Sequence, residues 1–86
     1  QNLLQPPYPN PFNHSVAIPF TIERANRVQL AVYDLAGQRL ATLIDDRLAP
    51  GDHRVHWQSH EAASGVYLIL LRSGADTAVQ KVVLMK

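Results

Sequence analysis

Three histidines within eight residues, His53, His56 and His60, are the side chains whose type and crowding first invite chemistry, because neutral imidazole is a common zinc ligand. Their spacing works against that use. On a strand, side chains alternate between faces, so His53 and His56 point apart, whereas two ligands on one strand normally sit two positions apart. His60 is near enough in sequence to meet His56, but no Cys, Asp or Glu at a suitable spacing completes a set. These are read as surface histidines, and no metal is expected. Asp45-Asp46 offers two carboxylates that a calcium ion would accept together with loop carbonyls, and a solvated turn is the simpler reading of the pair. Ser64 precedes Gly65 without the flanking glycine pattern of a nucleophile elbow. Ser59 lies close to His56 and His60 in sequence, but a nucleophile needs a base in reach and that base needs an orienting partner. A chain of 86 residues also leaves little room for a deep pocket. No catalytic residue and no cofactor site are expected, so the chain does not read as an enzyme.

The elements that carry these residues read as strands. Val16, Ile18, Phe20 and Ile22 alternate with Ala17, Pro19 and Thr21, the period of a half-buried strand. Pro19 has no amide to donate, which predicts an edge strand or a bulge. Val28, Leu30 and Val32 repeat the period before Asp34-Leu35-Ala36-Gly37, whose Asp and Gly supply hairpin turn chemistry. The return strand, about Gln38 to Ile44, holds Leu40 and Leu43 three apart, which predicts a bulge. Asp45 to Gly51 reads as a loop closed by Pro50-Gly51. His53, Val55 and Trp57 then share one face of a strand ending at Gln58. After a short polar connection, Gly65 opens Val66 to Leu71, apolar on both faces; such a strand is expected to be central with its second face covered. Thr77 to Met85 forms the last strand. Strands at this spacing, without helical periodicity, predict an all-β, antiparallel β-sandwich of six to seven strands, immunoglobulin-like in architecture. A seventh short strand is expected within residues 45–49 or in the Pro-rich start.

That start is Tyr8-Pro9-Asn10-Pro11-Phe12-Asn13. Each proline fixes φ and biases the residue before it away from the helical region, so residues 1–13 read as a stiff entrance docked on a sandwich of residues 14–86, with Tyr8 and Phe12 available to pack. Cysteine is absent, so packing alone must stabilise the domain. The net charge is +1, with eight Lys and Arg scattered singly among seven acids, and no nucleic-acid partner is expected. No apolar run is long enough to cross a bilayer as a helix. The chain starts at Gln1 without a methionine and is expected to be a piece of a longer protein, with any signal peptide elsewhere. Trp57 and Phe20 sit among aliphatic neighbours on their faces and read as core. Tyr33 and Tyr67 remain as aromatic platforms, a thin basis for a sugar site.

Read together, Tyr8-Pro9-Asn10-Pro11-Phe12-Asn13, Ser64-Gly65-Val66-Tyr67 and Lys81-Val82-Val83-Leu84-Met85-Lys86, with Val32-Tyr33-Asp34 running into Gly37 and Pro50-Gly51 leading to Trp57, resemble the type A C-terminal sorting domains of the type IX (Por) secretion system. The resemblance spans nearly the whole chain. It implies an immunoglobulin-like sandwich that directs an N-terminal cargo domain, through the periplasm and across the outer membrane, to the cell surface or the medium. It further implies an outer-membrane translocon and a sortase-like protease as partners, with Pro9, Asn10, Pro11, Gly65, Tyr67, Lys81 and Lys86 as the recognition positions. The two lysines also suit an edge strand, which charge protects from unwanted pairing. The immunoglobulin-like domain of flagellar hook-capping proteins shares part of the pattern, but the connection from Trp57 to Ser64 lacks that family's acidic, glycine-containing insert. His14 stands where many sorting domains continue with proline. A structural or carbohydrate-binding module of a secreted enzyme is the other alternative.

Overall fold

The protein is described from a computed structural model covering residues 3–60 and 62–86. Gln1 and Asn2 of the expected entrance, and Glu61 of the short connection, lie outside the described residues. Seven antiparallel strands are assigned: β1 (Leu3–Leu4), β2 (Ser15–Ile22), β3 (Asn26–Tyr33), β4 (Arg39–Leu48), β5 (Gly51–Gln58), β6 (Gly65–Ser73) and β7 (Asp76–Leu84). One sheet has the order β1-β2-β5, the other β4-β3-β6-β7. The predicted all-β sandwich is what the chain forms.

Alternation decides what goes inside. Val16, Ile18, Phe20 and Ile22 of β2 are fully buried and face Val28, Leu30 and Val32 of β3 and Ile69 and Leu71 of β6 across one core. Each such side chain contributes roughly 1.5–3 kcal/mol of transfer free energy on burial. The short β1 lies outside β2, so β2 is not an edge strand. Pro19 is nevertheless accommodated as its chemistry requires. Its carbonyl accepts from Gln5 N at 3.0 Å, while Tyr8, not residue 7, makes the next exchange, with Ala17. Pro6-Pro7 therefore bulges away opposite Ile18, and the one ladder bond missing at Pro19 is the reciprocal donation to the Gln5 carbonyl, which its nitrogen cannot make.

At the β3–β4 hairpin, Asp34 Oδ1 accepts from the amides of Ala36 and Gln38, each at 2.9 Å, and Gly37 takes φ +87°, a left-handed value that glycine adopts without a Cβ clash. The expected bulge is doubled. Register shifts between Leu30/Ala31 and between Val32/Tyr33 leave Leu43 and Leu40 without direct partners.

Two expectations fail here. Residues 45–48 are not a loop but the second half of β4, paired with Asn26 to Gln29 and leaving only Ala49-Pro50 to link the sheets. Their polarity reflects an exposed strand end, where Arg27 reaches Asp45 Oδ1 at 2.8 Å. β6 is central, between β3 and β7, but among the described residues no layer covers its second face. Val66, Leu68 and Leu70 remain half-buried on the outside of the sheet, and the entrance segment does not reach them, because Phe12 turns into the core instead.

Candidate functional site

The residues picked out for chemistry do not meet. His53 stacks on Phe20 at 5.3 Å and bonds the Ala49 carbonyl through Nε2. His60 Nε2 bonds Gln58 Oε1 at 2.6 Å, and His56 lies exposed on the opposite face from His53. Among the described residues no group of three metal-ligating side chains forms. Asp45 is committed to Arg27, and Asp46 Oδ1 accepts from the Arg47 amide. Tyr67 is not a sugar platform: it is buried, edge-on to Trp57 at 5.4 Å, with its hydroxyl donating to the Ala63 carbonyl four residues upstream. That local bond ties the connection before β6 to the strand itself, in the manner of a tyrosine corner. Tyr33 lies half-buried beneath the Arg39 guanidinium, 5.8 Å from the ring centroid.

The entrance does converge on something: the free edge of β7. β7 pairs with β6 on one side only, so every second residue directs an amide and a carbonyl outward. Asn10, held between Pro9 and Pro11 after a cis Tyr8–Pro9 bond and before a cis Asn10–Pro11 bond, places its side-chain amide along that edge. Nδ2 donates to the Lys81 carbonyl at 3.0 Å, and Oδ1 accepts from the Val83 amide at 2.9 Å. Asn10 thus makes with its side chain the two bonds that a neighbouring strand would make with its backbone. Phe12 continues with its backbone: its amide donates to the Val83 carbonyl at 2.9 Å, and its carbonyl accepts from Met85 N at 2.8 Å, a parallel bridge to Leu84. The Phe12 ring, 3% exposed, enters the core against Trp57 at 5.7 Å. Tyr8, by contrast, is about half exposed and hydrogen-bonds Arg54 through its hydroxyl.

The other sequence-derived positions are grouped around the same strand. Leu84 pairs with Gly65 and Val82 with Tyr67. A Cβ on Gly65 would meet nothing within 4 Å, so close backbone approach does not explain the glycine; its φ of +155°, rare for residues with a side chain, does. Lys81 lies opposite Leu68 on the outer face of the sheet. Lys86, just past β7, donates its amide to Ser64 Oγ at 2.9 Å and directs Nζ toward the His60 carbonyl at 3.5 Å. Between Lys86, His60 and Gln58 on one side and Asn13 and His14 on the other lies a cleft of about 490 Å³, open to solvent.

Two fasteners escape a reading of the sequence. Buried Ser59 shares its one hydroxyl proton between the carbonyls of Asn13 and His14, 3.2 and 3.1 Å from Oγ, while its own amide bonds the His14 carbonyl. Ser64 holds Lys86. Both serines lie in a polar connection that looks like solvent-facing loop, and nothing local signals partners more than twenty residues away.

No curated protein and no solved structure matches the chain. The family model of the secretion system C-terminal sorting domain matches residues 7–85, from the entrance through the end of β7. The match covers the segments on which the resemblance rested up to Met85, leaving out Lys86, and it favours neither the hook-capping nor the carbohydrate-binding alternative. The sorting-signal family is not catalytic, and it marks attached cargo for export to the cell surface or the medium. Fold, motif positions and family match agree: this chain belongs to the C-terminal sorting domains of the type IX secretion system.

Proposed function

We propose that the domain works as a non-catalytic address label whose legible part is the outer edge of β7 with the entrance folded onto it. The observation that carries this reading is the Asn10 amide bridging Lys81 and Val83, because it joins two motifs more than seventy residues apart into one surface. Pro9 and Pro11 hold Asn10 in place. Gly65 and Tyr67 act from beneath, by fixing the start of β6, to which the end of β7 is paired. Lys81 and Lys86 are the charged groups a partner would contact. In this reading an outer-membrane translocon of the type IX machinery engages the edge, a sortase-like protease releases the N-terminal cargo, and residues 1–13 and 14–86 are entrance and body of one label.

Fusing residues 1–86 to a periplasmic reporter, in a host that has this secretion system, tests the reading. The fusion is expected at the cell surface or in the medium, and a fusion ending before Lys81 is expected to stay in the periplasm. Normal export of the truncated fusion would refute the role given to the end of β7.

A further inference from the structure

Although the basic residues are scattered along the sequence, the strand period gathers them. On the outer face of the β4-β3-β6-β7 sheet, the register places Arg27 opposite Arg47, Arg39 opposite Tyr33, Arg72 opposite both Gln29 and Thr77, and Lys81 opposite Leu68. Residues opposite one another in an antiparallel pair project from the same face. Five of the eight Lys and Arg of the chain therefore lie on this one face, whose single carboxylate, Asp45, is taken up by Arg27. The net charge of +1 hides a strongly polarised molecule.

The centre of that face is apolar. Leu70 lies between Ala31 and Val79, and Leu68 between Tyr33 and Lys81, with the Val66–Val83 pair beyond. Val79 is 54% exposed. Gln29, Ala31, Tyr33, Arg39, Leu70 and Arg72 line a common shallow depression, where Arg39 and Arg72 meet the Leu70 end of the apolar strip. An aliphatic strip with an aromatic ring, framed by guanidinium groups, has the composition of a protein interface, in which Arg and Tyr are enriched and Lys is depleted.

We propose that this face docks on a partner protein that presents an apolar patch ringed by carboxylates. The charge argues for that occupant over the others. A second copy would bring this face, with four cations left after the Arg27–Asp45 pair, against an identical one, which costs affinity through like-charge juxtaposition. A lipid surface would be gripped by side chains that project, whereas Leu68, Leu70 and Val66 lie flush and half-buried within the sheet. The face also adjoins the β7 edge through Lys81, so one partner is able to contact both. The proposal rests on the export reading only for the setting in which that partner is met.

The test uses the full cargo protein carrying this domain, in cells with the secretion system, with a photo-reactive phenylalanine analogue at Leu70, or at the more exposed Val79 should the Leu70 variant fail to fold. A third variant with the analogue at His56, on the outer side of β5, is the control. The expected result is a protein adduct from the Leu70 or Val79 position, absent from His56, cross-linked within a segment rich in Asp and Glu. It should fall at least tenfold when Arg39→Glu and Arg72→Glu are introduced together, in a domain whose circular dichroism and melting show it still folded. An adduct to a second copy, to lipid or to nucleic acid, no adduct, or an adduct indifferent to the charge reversal overturns the proposal. Cargo retained inside the cell would count against the export reading alone, since the adduct formed in those cells still reports what the face binds.

Discussion

Replacing Asn10 with alanine removes two hydrogen bonds from the edge of β7, and the residue is exposed, so those bonds carry the effect. A protein hydrogen bond contributes a net 0.5–1.5 kcal/mol, and here water is free to replace both partners, so the loss falls at about 1–2 kcal/mol in total. A domain of this length holds roughly 4–13 kcal/mol, so Asn10→Ala stays folded at 25 °C. Its melting temperature should drop by about 5–15 °C, at roughly 4–8 °C per kcal/mol for a small domain. The effect should also be local. The Val83 amide, bonded to Asn10 Oδ1, should exchange its proton faster, whereas the Met85 amide, bonded to the Phe12 carbonyl, should remain protected. Asn10→Asp separates the two bonds: the carboxylate still accepts from Val83 but faces the Lys81 carbonyl without a proton to donate. Val83 should then stay protected while the melting temperature falls. Thermal denaturation followed by circular dichroism, with amide exchange by NMR, measures both. If Asn10→Ala melts within a degree of the wild type and Val83 exchanges at its original rate, the bridging amide does not hold this edge.

Tyr67→Phe removes the hydroxyl bond to Ala63 but keeps the ring against Trp57, so urea unfolding should register a loss of about 1 kcal/mol. Tyr67→Ala also empties the ring's volume and should cost about 3–5 kcal/mol; equal costs for the two variants would show that the ring does not pack as described. Ser59→Ala strips the one hydroxyl proton shared between the Asn13 and His14 carbonyls and is expected to cost about 1 kcal/mol. Protection of the Ser59 amide, which bonds the His14 carbonyl independently, serves as the internal check that the connection itself remains docked.

Period-two alternation was enough to find most strands, because one buried face imposes the pattern: β5 follows it residue by residue, and β2 and β3 follow it except at the small, buried Ala17 and Ala31. The bulges of β4 were visible as a broken period at Leu40 and Leu43. What misled was polarity where no core face exists to constrain it. Asp45 to Leu48 looked like loop because Asp45, Asp46 and Arg47 are exposed and only Leu48 of the four packs against the core, and an exposed strand there is free to use Asp and Arg. Tyr67 looked available because residue type does not tell which side of a strand faces inward, and Val66 to Leu71 are apolar on both sides. The recognition motifs were legible as motifs. Their convergence on β7 was not, because the bonds of Asn10, Ser59 and Ser64 span long stretches of chain and leave no local mark. The same holds for the arginines, which are isolated in sequence and become neighbours only through cross-strand register.

The edge seal has a consequence for the making of the protein. Asn10 and Phe12 are synthesised well before the groups they bind, which belong to residues 81–85. A chain cut short by a premature stop anywhere before β7 therefore leaves Phe12 without its backbone partners and β6 with a bare edge. The closed label can exist only on a polypeptide that includes β7, so machinery that reads this edge would also be checking that the sandwich is whole.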